Sequence, residues 1–138
     1  MMEELTTDLL NRTEAALAEL DPVVCPLVHL FTPGLYTREI TIPAGTCVTS
    51  RVHRTEHPFA VLRGTVAVIN GDEKELMHSP HMGVTMPGTR RILLAVTNVI
   101  WVTFHANPLG LSDPDEMVEW LTEPSDNPYI DKDDPRFQ

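Results

Sequence analysis

Two histidines four residues apart, His53 and His57, lie in the stretch RVHRTEHPFAVLRG, ahead of an apolar run that ends at Gly64. Imidazole nitrogens bind transition metals, so a histidine pair beside a strand is a candidate metal site. The alternative is that both histidines are polar residues at a strand end, bonded to the backbone or to water. The two residues by themselves leave both interpretations open.

A third histidine, His105, extends the candidate site. Strand residues of equal parity face the same side, so Arg51 and His53 are predicted to point together, as are Trp101 and His105 on a later strand. Three imidazoles from His53, His57 and His105 would suit a divalent transition metal such as Zn, Fe, Mn or Ni. The alternative for His105 is that its ring caps the end of the strand.

Other titratable residues are weaker candidates. Glu56 lies between the two histidines and could orient a ligand or replace one. The stretch HSPH has a spacing that could hold a metal through His78 and His81, but it contains a proline and is predicted to be a loop. His29 is interpreted as a structural residue.

Two arginines, Arg51 and Arg91, indicate a second kind of chemistry. A guanidinium inside a barrel needs a carboxylate or phosphate to offset its desolvation, and its fork binds either one through two hydrogen bonds. A small bound anion would serve, and so would an ion pair with Glu39 or Glu56. An outward-facing side chain is the third possibility, and of the neighbours Arg90 and Arg91 only one can face inward on a regular strand.

Three further side chains could line the opening of the same barrel, beside these arginines. Tyr36 and Arg38 share a parity and could line it together. Trp101 is either a platform for a ligand or an ordinary core residue.

The segments that position these residues are mainly strands. Leucines and alanines at helical spacing, followed by Pro22, predict a helix over about 4–20. The following residues alternate in polarity, with turns every 8–15 residues and a hairpin predicted at Asn70-Gly71-Asp72. This spacing of turns is typical of an antiparallel barrel or sandwich. A short helix is predicted over about 114–122, and residues 124–138 are expected to be an irregular strap or disordered.

The chain resembles the cupin superfamily over about residues 30–105. The stretch PAGTCVTSRVHRTEHPFAVLRGTVAV is similar to the first cupin motif, and MPGTRR is similar to the second. The resemblance implies a cupin-type, jelly-roll-like antiparallel β-barrel around a metal site. With the two helices, the chain divides into an N-terminal helix (1–22), the barrel (23–107) and a C-terminal helix with an acidic tail (108–138), all within one domain.

The motif residues differ from the usual cupin set. Counting back from Gly64, the usual Glu falls on His57, and the two histidines of the first motif fall on Arg51 and His53. The histidine of the second motif falls on Arg91, which favours Arg91 over Arg90 as the inward residue. Short cupin-like proteins of tailed bacteriophages and prophages are the group that the chain is judged to resemble most.

Charge is unevenly distributed along the 138 residues, whose formal net charge is −10. Residues 1–37 hold six acidic residues and one Arg, 106–138 hold nine acidic and two basic residues, and 38–105 hold seven basic and five acidic residues. The acidic excess argues against non-specific binding to nucleic acid or to an anionic membrane. The slightly basic segment 38–105 would suit the binding of a small anion.

The compartment is predicted from the cysteines and the N-terminus. Cys25 and Cys47 have no C-x-x-C spacing, and the first twenty residues contain neither a basic region nor a long apolar run. A cytoplasmic protein without a signal peptide or transmembrane helix is therefore expected. A barrel of this size often pairs across exposed strands, so a homodimer or higher homo-oligomer is expected as well.

The leading functional hypothesis is a small cupin that binds a metal ion and a small anionic molecule. His53, His57 and His105 would be the ligands and Arg51 and Arg91 the anion clamp, with an oxygenase or isomerase reaction if the protein is an enzyme. One alternative is a non-enzymatic phage protein that sequesters an anionic metabolite or signalling nucleotide. The other is a structural protein of a phage particle.

Overall fold

Two helices and nine strands make up the chain in a computed structural model that describes residues 2–124 and 127–129. Helix α1 spans Met2–Ala18, so it begins and ends two residues earlier than predicted. The amides of Glu19 and Leu20 bond back to the carbonyls three residues earlier, which tightens the last turn and ends the helix. None of the helices in the described part of the chain is long and apolar enough to cross a membrane.

The strands follow α1 in one uninterrupted run. Their bounds are β1 (Leu27–Thr32), β2 (Leu35–Ile42), β3 (Cys47–Thr49), β4 (His57–Arg63), β5 (Thr65–Asn70), β6 (Glu73–His78), β7 (His81–Thr85), β8 (Ile92–Ala95) and β9 (Val99–Ala106). The predicted hairpin is confirmed, because β5 and β6 pair antiparallel around Gly71, whose φ is 68°.

Two antiparallel sheets face each other. The five-stranded sheet has the order β1-β2-β9-β4-β7 and the four-stranded sheet has the order β3-β8-β5-β6. Alternate residues of each strand point into the space between the sheets and form the core. The buried members of this core are Ile42, Phe59, Val61, Val66, Val68, Met77, Leu93, Ala95, Val99 and Trp101.

Helix α2 spans Pro114–Leu121, close to the predicted 114–122. Asp113 caps it by accepting a hydrogen bond from the amide of Asp115 at 2.9 Å. Its apolar face places the fully buried Met117 and the nearly buried Leu121 against the buried ring of Tyr36, at one end of the barrel. The prediction for residues 124–138 concerns mostly residues 125–126 and 130–138, which lie outside the described part of the chain.

The strand expected to carry Arg51 and His53 is much shorter than the alternation implied. Strand β3 ends at Thr49, and residues 50–56 form an irregular segment with one isolated bridge between His53 and Thr122. Arg51 and His53 were predicted to point together because they share a strand. That reason is wrong, because neither residue lies in a strand. This segment is held instead by backbone hydrogen bonds to residues 88–91 on one side and to the end of α2 on the other.

Candidate functional site

A cavity of about 280 Å³ lies between the two sheets, at the end of the barrel that α2 covers. It gathers side chains from both sheets, from the irregular segment after β3 and from α2. All eight side chains that the sequence marked as site residues line it: Tyr36, Arg38, Arg51, His53, His57, Arg91, Trp101 and His105.

Three histidines are neighbours on the wall of this cavity although they come from three different elements. His53 lies in the segment after β3, His57 is the first residue of β4, and His105 lies near the end of β9. The ring centroids of His53 and His57 are 5.0 Å apart, and those of His57 and His105 are 4.2 Å apart.

Each of these rings has one buried nitrogen without a hydrogen-bond partner among the described residues. These atoms are Nδ1 of His53, Nε2 of His57 and Nδ1 of His105. The Nδ1 of His57 lies 3.1 Å from the carbonyl oxygen of Thr55, which can only accept, so Nδ1 carries the proton and Nε2 a free lone pair. The other nitrogen of His105, Nε2, lies 2.8 Å from the hydroxyl of Thr103.

Burial and the nearby cations keep the three imidazoles neutral. Burial, with a smaller effect of His57, lowers the pKa of His53 to about 4. Arg91 and Arg38 act in the same direction on His53. Burial, followed by the two other histidines and Arg38, lowers the pKa of His105 to about 3. Neutral rings retain the lone pairs that a metal or a ligand proton can use.

Two neighbouring arginines turn to opposite sides of the four-stranded sheet. Arg90 points outward, and its guanidinium donates to Asn11 Oδ1 at 2.6 Å and to Glu14 Oε2 at 3.2 Å on α1. Arg91 points into the cavity, where Nη1 donates to the Thr85 hydroxyl at 2.7 Å. The structure therefore places Arg91, and not Arg90, inside the barrel.

The other guanidinium groups of the cavity come from Arg38 on β2 and Arg51 in the segment after β3. The Nε atoms of Arg38 and Arg91 are both buried without a hydrogen-bond partner. Burial lowers the pKa of Arg38 and of Arg91, since an isolated cation is poorly solvated there. A guanidinium does not lose its proton in proteins, so both groups are charged.

No Asp or Glu occurs among the described residues that line the cavity. The alternative of an ion pair with Glu39 or Glu56 is wrong, since within the described residues the ion pairs are Arg12 with Asp8 and Arg90 with Glu14. The exposed Glu75 raises the pKa of Arg91 slightly through its charge but forms no ion pair with it.

Two aromatic rings pack against the guanidinium of Arg91. The rings of Phe59 and Trp101 stack at 4.5 Å with an interplanar angle of 3°, and the Arg91 guanidinium carbon lies 4.9 Å from the Phe59 ring centroid. Gly83 on β7 pairs with Phe59, and a Cβ there would come within 2.7 Å of that ring. Trp101 is 5 % exposed, so it belongs to the core and borders the cavity at the same time.

Helix α2 supplies a wall of the site that the sequence reasoning missed. Val118, Leu121 and Thr122 line the cavity. The chain just after α2 is bonded to the segment after β3, with the amide of Arg54 donating to Leu121 O at 2.8 Å and the amide of Glu123 donating to Val52 O at 2.9 Å. The sequence predicted the helix over about 114–122 but not that it closes one end of the barrel.

The remaining histidines lie outside the cavity lining. His78 bonds through Nδ1 to the Thr65 hydroxyl at 3.0 Å, and the ring of His81 lies 6.0 Å from that of Phe59. His29 bonds to the Tyr36 hydroxyl at 2.6 Å, and the two rings stack. His29 therefore holds Tyr36 in place, which is a structural contact.

The described residues contain no group of three or more His, Cys, Asp or Glu side chains arranged to hold a metal ion. The three imidazoles have the right chemistry and free nitrogens, but their arrangement is not a formed metal centre. The site as it stands is instead a cationic cavity with neutral histidines on one wall.

Comparisons with known proteins agree on the fold. No protein-family model matches the sequence, and no curated protein matches it. A cupin superfamily protein from Desulfitobacterium hafniense is 11 % identical, with 67 % of this chain and 85 % of that chain covered and a TM-score of 0.54. A cupin domain from Schizosaccharomyces pombe is 15 % identical, with 72 % and 81 % covered and a TM-score of 0.53.

One similar structure is an enzyme. A salicylate 1,2-dioxygenase from Pseudaminobacter salicylatoxidans is 22 % identical with a TM-score of 0.57, and the match covers 77 % of this chain but only 34 % of that chain. The predicted likeness to bacteriophage proteins receives no support from these comparisons. The identities are too low to transfer an activity, but the architecture is shared. The chain folds as a cupin-type antiparallel β-barrel, with one helix before it and one after it.

Proposed function

We propose that this cupin-type barrel binds a small anionic molecule in its cavity, using the guanidinium groups of Arg38, Arg51 and Arg91. The observation that carries the proposal is the lack of any carboxylate among the described lining residues, beside two buried Nε atoms that have no partner. A buried cation without an anionic partner costs free energy, and a bound anion offsets that cost.

The size of the cavity limits the ligand. Its volume of about 280 Å³ is slightly below the range of about 300–1,000 Å³ that is usual for ligand pockets. The lining combines the three guanidinium groups with hydroxyls of Ser50, Thr85 and Thr103 and with apolar side chains. A compact carboxylic or phosphoric acid with a small apolar part fits this lining better than a nucleotide does.

Thermal unfolding in the presence of small anions tests the proposal. Acetate, butyrate, succinate, sulfate and phosphate would each be compared with chloride at equal ionic strength, because a ligand that binds the folded state raises the melting temperature as its concentration exceeds its Kd. At least one anion should stabilise the wild type, and the same anion should leave an Arg38→Met/Arg91→Met variant unaffected.

A matched control is Arg63→Met, which removes an exposed arginine at the end of β4 that does not line the cavity. This variant should respond to anions as the wild type does. If no anion stabilises the wild type more than chloride does, or if the double variant responds equally, the proposal is wrong.

A metal-dependent activity of the oxygenase or isomerase type is the second candidate. The observation that favours it is the set of three unpaired ring nitrogens on His53, His57 and His105. A metal-dependent activity also requires the three imidazole rings to come closer to one another, because the described residues hold no formed metal centre. The arginines would then position an anionic substrate, so anion binding is common to both candidates.

Metal analysis separates the two candidates. Protein purified without an affinity tag or chelator would be incubated with Zn, Fe, Mn or Ni, desalted and analysed for metal per chain. The metal-dependent candidate requires about one metal ion per chain in the wild type and none in His53→Ala/His57→Ala. If the wild type retains no metal, this candidate fails and anion binding alone remains.

A further inference from the structure

The imidazole of His57 is a hydrogen-bond acceptor on the wall of the cavity. Its Nδ1 lies 3.1 Å from the carbonyl oxygen of Thr55 and therefore carries the ring proton. Its Nε2 holds the lone pair, and that atom is buried without a hydrogen-bond partner among the described residues. Burial, opposed by the bond to Thr55 and reinforced by the charge of Arg91, lowers the pKa of His57, so the ring is neutral at pH 7. In the absence of a metal, a ligand that pairs with Nε2 has to donate a hydrogen bond to it.

The guanidinium of Arg91 lies beside this imidazole. Arg91 directly precedes β8 of the four-stranded sheet, but its Nη1 reaches the five-stranded sheet and donates to the Thr85 hydroxyl at 2.7 Å. Thr85 on β7 is the direct cross-strand partner of His57 on β4, and both side chains line the cavity. The Cβ atoms of such a pair are about 4.5–5.5 Å apart. A cation and a neutral acceptor are therefore neighbours on one wall, where one small molecule can contact both.

The charges of the cavity restrict the group that a ligand can offer to Nε2. Three guanidinium groups line the cavity, those of Arg38, Arg51 and Arg91, and no described lining residue is an Asp or Glu. An ammonium group on the ligand would be repelled by these cations and would find no carboxylate to offset its charge. A hydroxyl group donates a hydrogen bond without adding charge. The lining also includes the apolar side chains of Ile40 and Leu93, which suit a short hydrocarbon chain.

We infer that the ligand of this cavity is a small hydroxy acid, whose carboxylate binds Arg91 and whose hydroxyl donates a hydrogen bond to Nε2 of His57. The inference rests on the proposed anion-binding function and adds the ligand class to it. Hydrogen phosphate is also an anion with its own donor, but it leaves the apolar part of the lining without contacts. A plain carboxylate satisfies the guanidinium and leaves the buried lone pair unpaired, which costs free energy.

Calorimetric titration at pH 7 with matched acids tests the inference. Lactate and 3-hydroxypropionate would be compared with propionate, 2-hydroxybutyrate and 3-hydroxybutyrate with butyrate, and all of them with inorganic phosphate. The protein would first be treated with EDTA and desalted, because hydroxy acids also chelate metal ions. At least one hydroxy acid should bind about fivefold or more tightly than the acid that lacks the hydroxyl, since only the hydroxyl pairs the buried nitrogen. Alanine, which carries an ammonium group instead, should bind more weakly than propionate.

Methyl ethers separate donation by the ligand oxygen from acceptance. In 2-methoxypropionate and 3-methoxypropionate the ether oxygen still accepts a hydrogen bond from an arginine but has no proton to donate. Each ether should therefore bind no more tightly than the hydrocarbon acid of the same shape, which is 2-methylbutyrate for the first and valerate for the second. This comparison uses the wild type alone.

Substitutions assign the hydroxyl of the ligand to His57. His57→Phe keeps a ring but removes the acceptor, so the hydroxy acid and the plain acid should bind equally. His57→Gln restores an acceptor oxygen, and part of the preference should return. His78→Phe is the matched control, since His78 bonds to Thr65 outside the cavity lining, and it should keep the preference of the wild type. Circular dichroism checks that each variant is folded, and if His57→Phe is not, the ethers decide the question.

The outcomes distinguish this inference from the proposed function. Equal affinity for acids with and without the hydroxyl, ethers that bind as tightly as the hydroxy acids, or a preference that survives in His57→Phe would each overturn the hydroxy acid and leave anion binding in place. Phosphate that binds more tightly than every hydroxy acid overturns it as well. Failure of every anion to bind overturns the proposed function and the inference together.

Discussion

Arg90 and Arg91 are neighbours in the chain and nearly equal in burial, yet their surroundings differ completely. Arg90, with its side chain 11 % exposed, bonds to Asn11 and Glu14 of α1 in a group that we call the helix anchor, formed by Asn11, Glu14, Arg90 and Asn127. Arg91, 9 % exposed, faces the cavity, and among the described residues its guanidinium hydrogen-bonds only to the Thr85 hydroxyl.

The difference shows what each arginine is for. In the helix anchor the cation meets a carboxylate and an amide oxygen from the same chain, so the group stabilises the attachment of α1. In the cavity the described residues form no ion pair with Arg91, and its guanidinium has only a hydroxyl, two aromatic rings and the more distant charge of Glu75 to offset its desolvation. A cation that the fold does not neutralise is available to a ligand.

The largest expected effect is that of acid on stability. Acidification should act through the cavity and not through the helix anchor, because the cavity contains neutral histidines and the helix anchor contains none. The pKa of His53 is about 4 and that of His105 about 3 in the folded state, against an ordinary value of 6.5. The unfolded chain binds protons below pH 6.5 while the folded chain does not. Stability is therefore complete above about pH 6.5 and is lost as the pH falls towards 4.

One pKa unit corresponds to about 1.4 kcal/mol, so His53 and His105 should each lower the unfolding free energy by about 3 kcal/mol between pH 7 and pH 4. Urea unfolding at a series of pH values measures it. His105→Gln should flatten the curve between pH 6.5 and 4 relative to the wild type. An unchanged slope in that variant would show that His105 is not a source of the effect.

Replacement of Arg91 should have the next largest effect, on binding. Arg91→Met removes hydrogen bonds to an anion that are worth about 1.5–3 kcal/mol, which corresponds to a loss of affinity of about ten- to a hundredfold. Calorimetric titration with the best anion from the thermal screen measures the loss. Arg90→Met is the matched control and should change that affinity by less than about twofold.

The same pair of variants should behave differently in stability. Arg90→Met removes the donor to the buried Asn11 Oδ1 and the ion pair of Glu14, which keeps its bonds from Thr49 and Asn127, at a cost of about 1–3 kcal/mol of unfolding free energy. Urea unfolding at pH 7 measures it. If Arg90→Met weakens anion binding and leaves stability unchanged, the division of roles between the two arginines is wrong.

The smallest effect on stability and anion affinity is expected from Gly83→Ala, which acts on the cavity only through the Phe59 ring. The new Cβ would come within 2.7 Å of the Phe59 ring and push it towards the guanidinium of Arg91. Overpacking of this kind costs about 1 kcal/mol or slightly more, and anion affinity should fall a few-fold. The measurements are urea unfolding and calorimetric titration, with an unchanged affinity counting against Phe59 as the support of Arg91.

Much of the fold could be predicted from local patterns. The alternation of apolar and polar residues indicated the strands, the turn at Asn70-Gly71-Asp72 indicated the hairpin, and Pro114 indicated the start of α2. The resemblance of the second motif also favoured Arg91 over Arg90 as the inward residue. Strand periodicity failed for Arg51 and His53, because the chain leaves the sheet after Thr49 and its direction there depends on a distant partner, Thr122.

The sequence by itself determined the residue types and their local spacing, and therefore the strands, the hairpin and the presence of arginines and histidines with binding chemistry. Tertiary structure decided which of them meet: it joined His53, His57 and His105 from three elements and closed the cavity with α2. It also decided that, within the described part of the chain, Arg90 forms an ion pair with Glu14 whereas Arg91 forms none. The physical reason is that charge compensation depends on distances across the barrel, which no local pattern encodes.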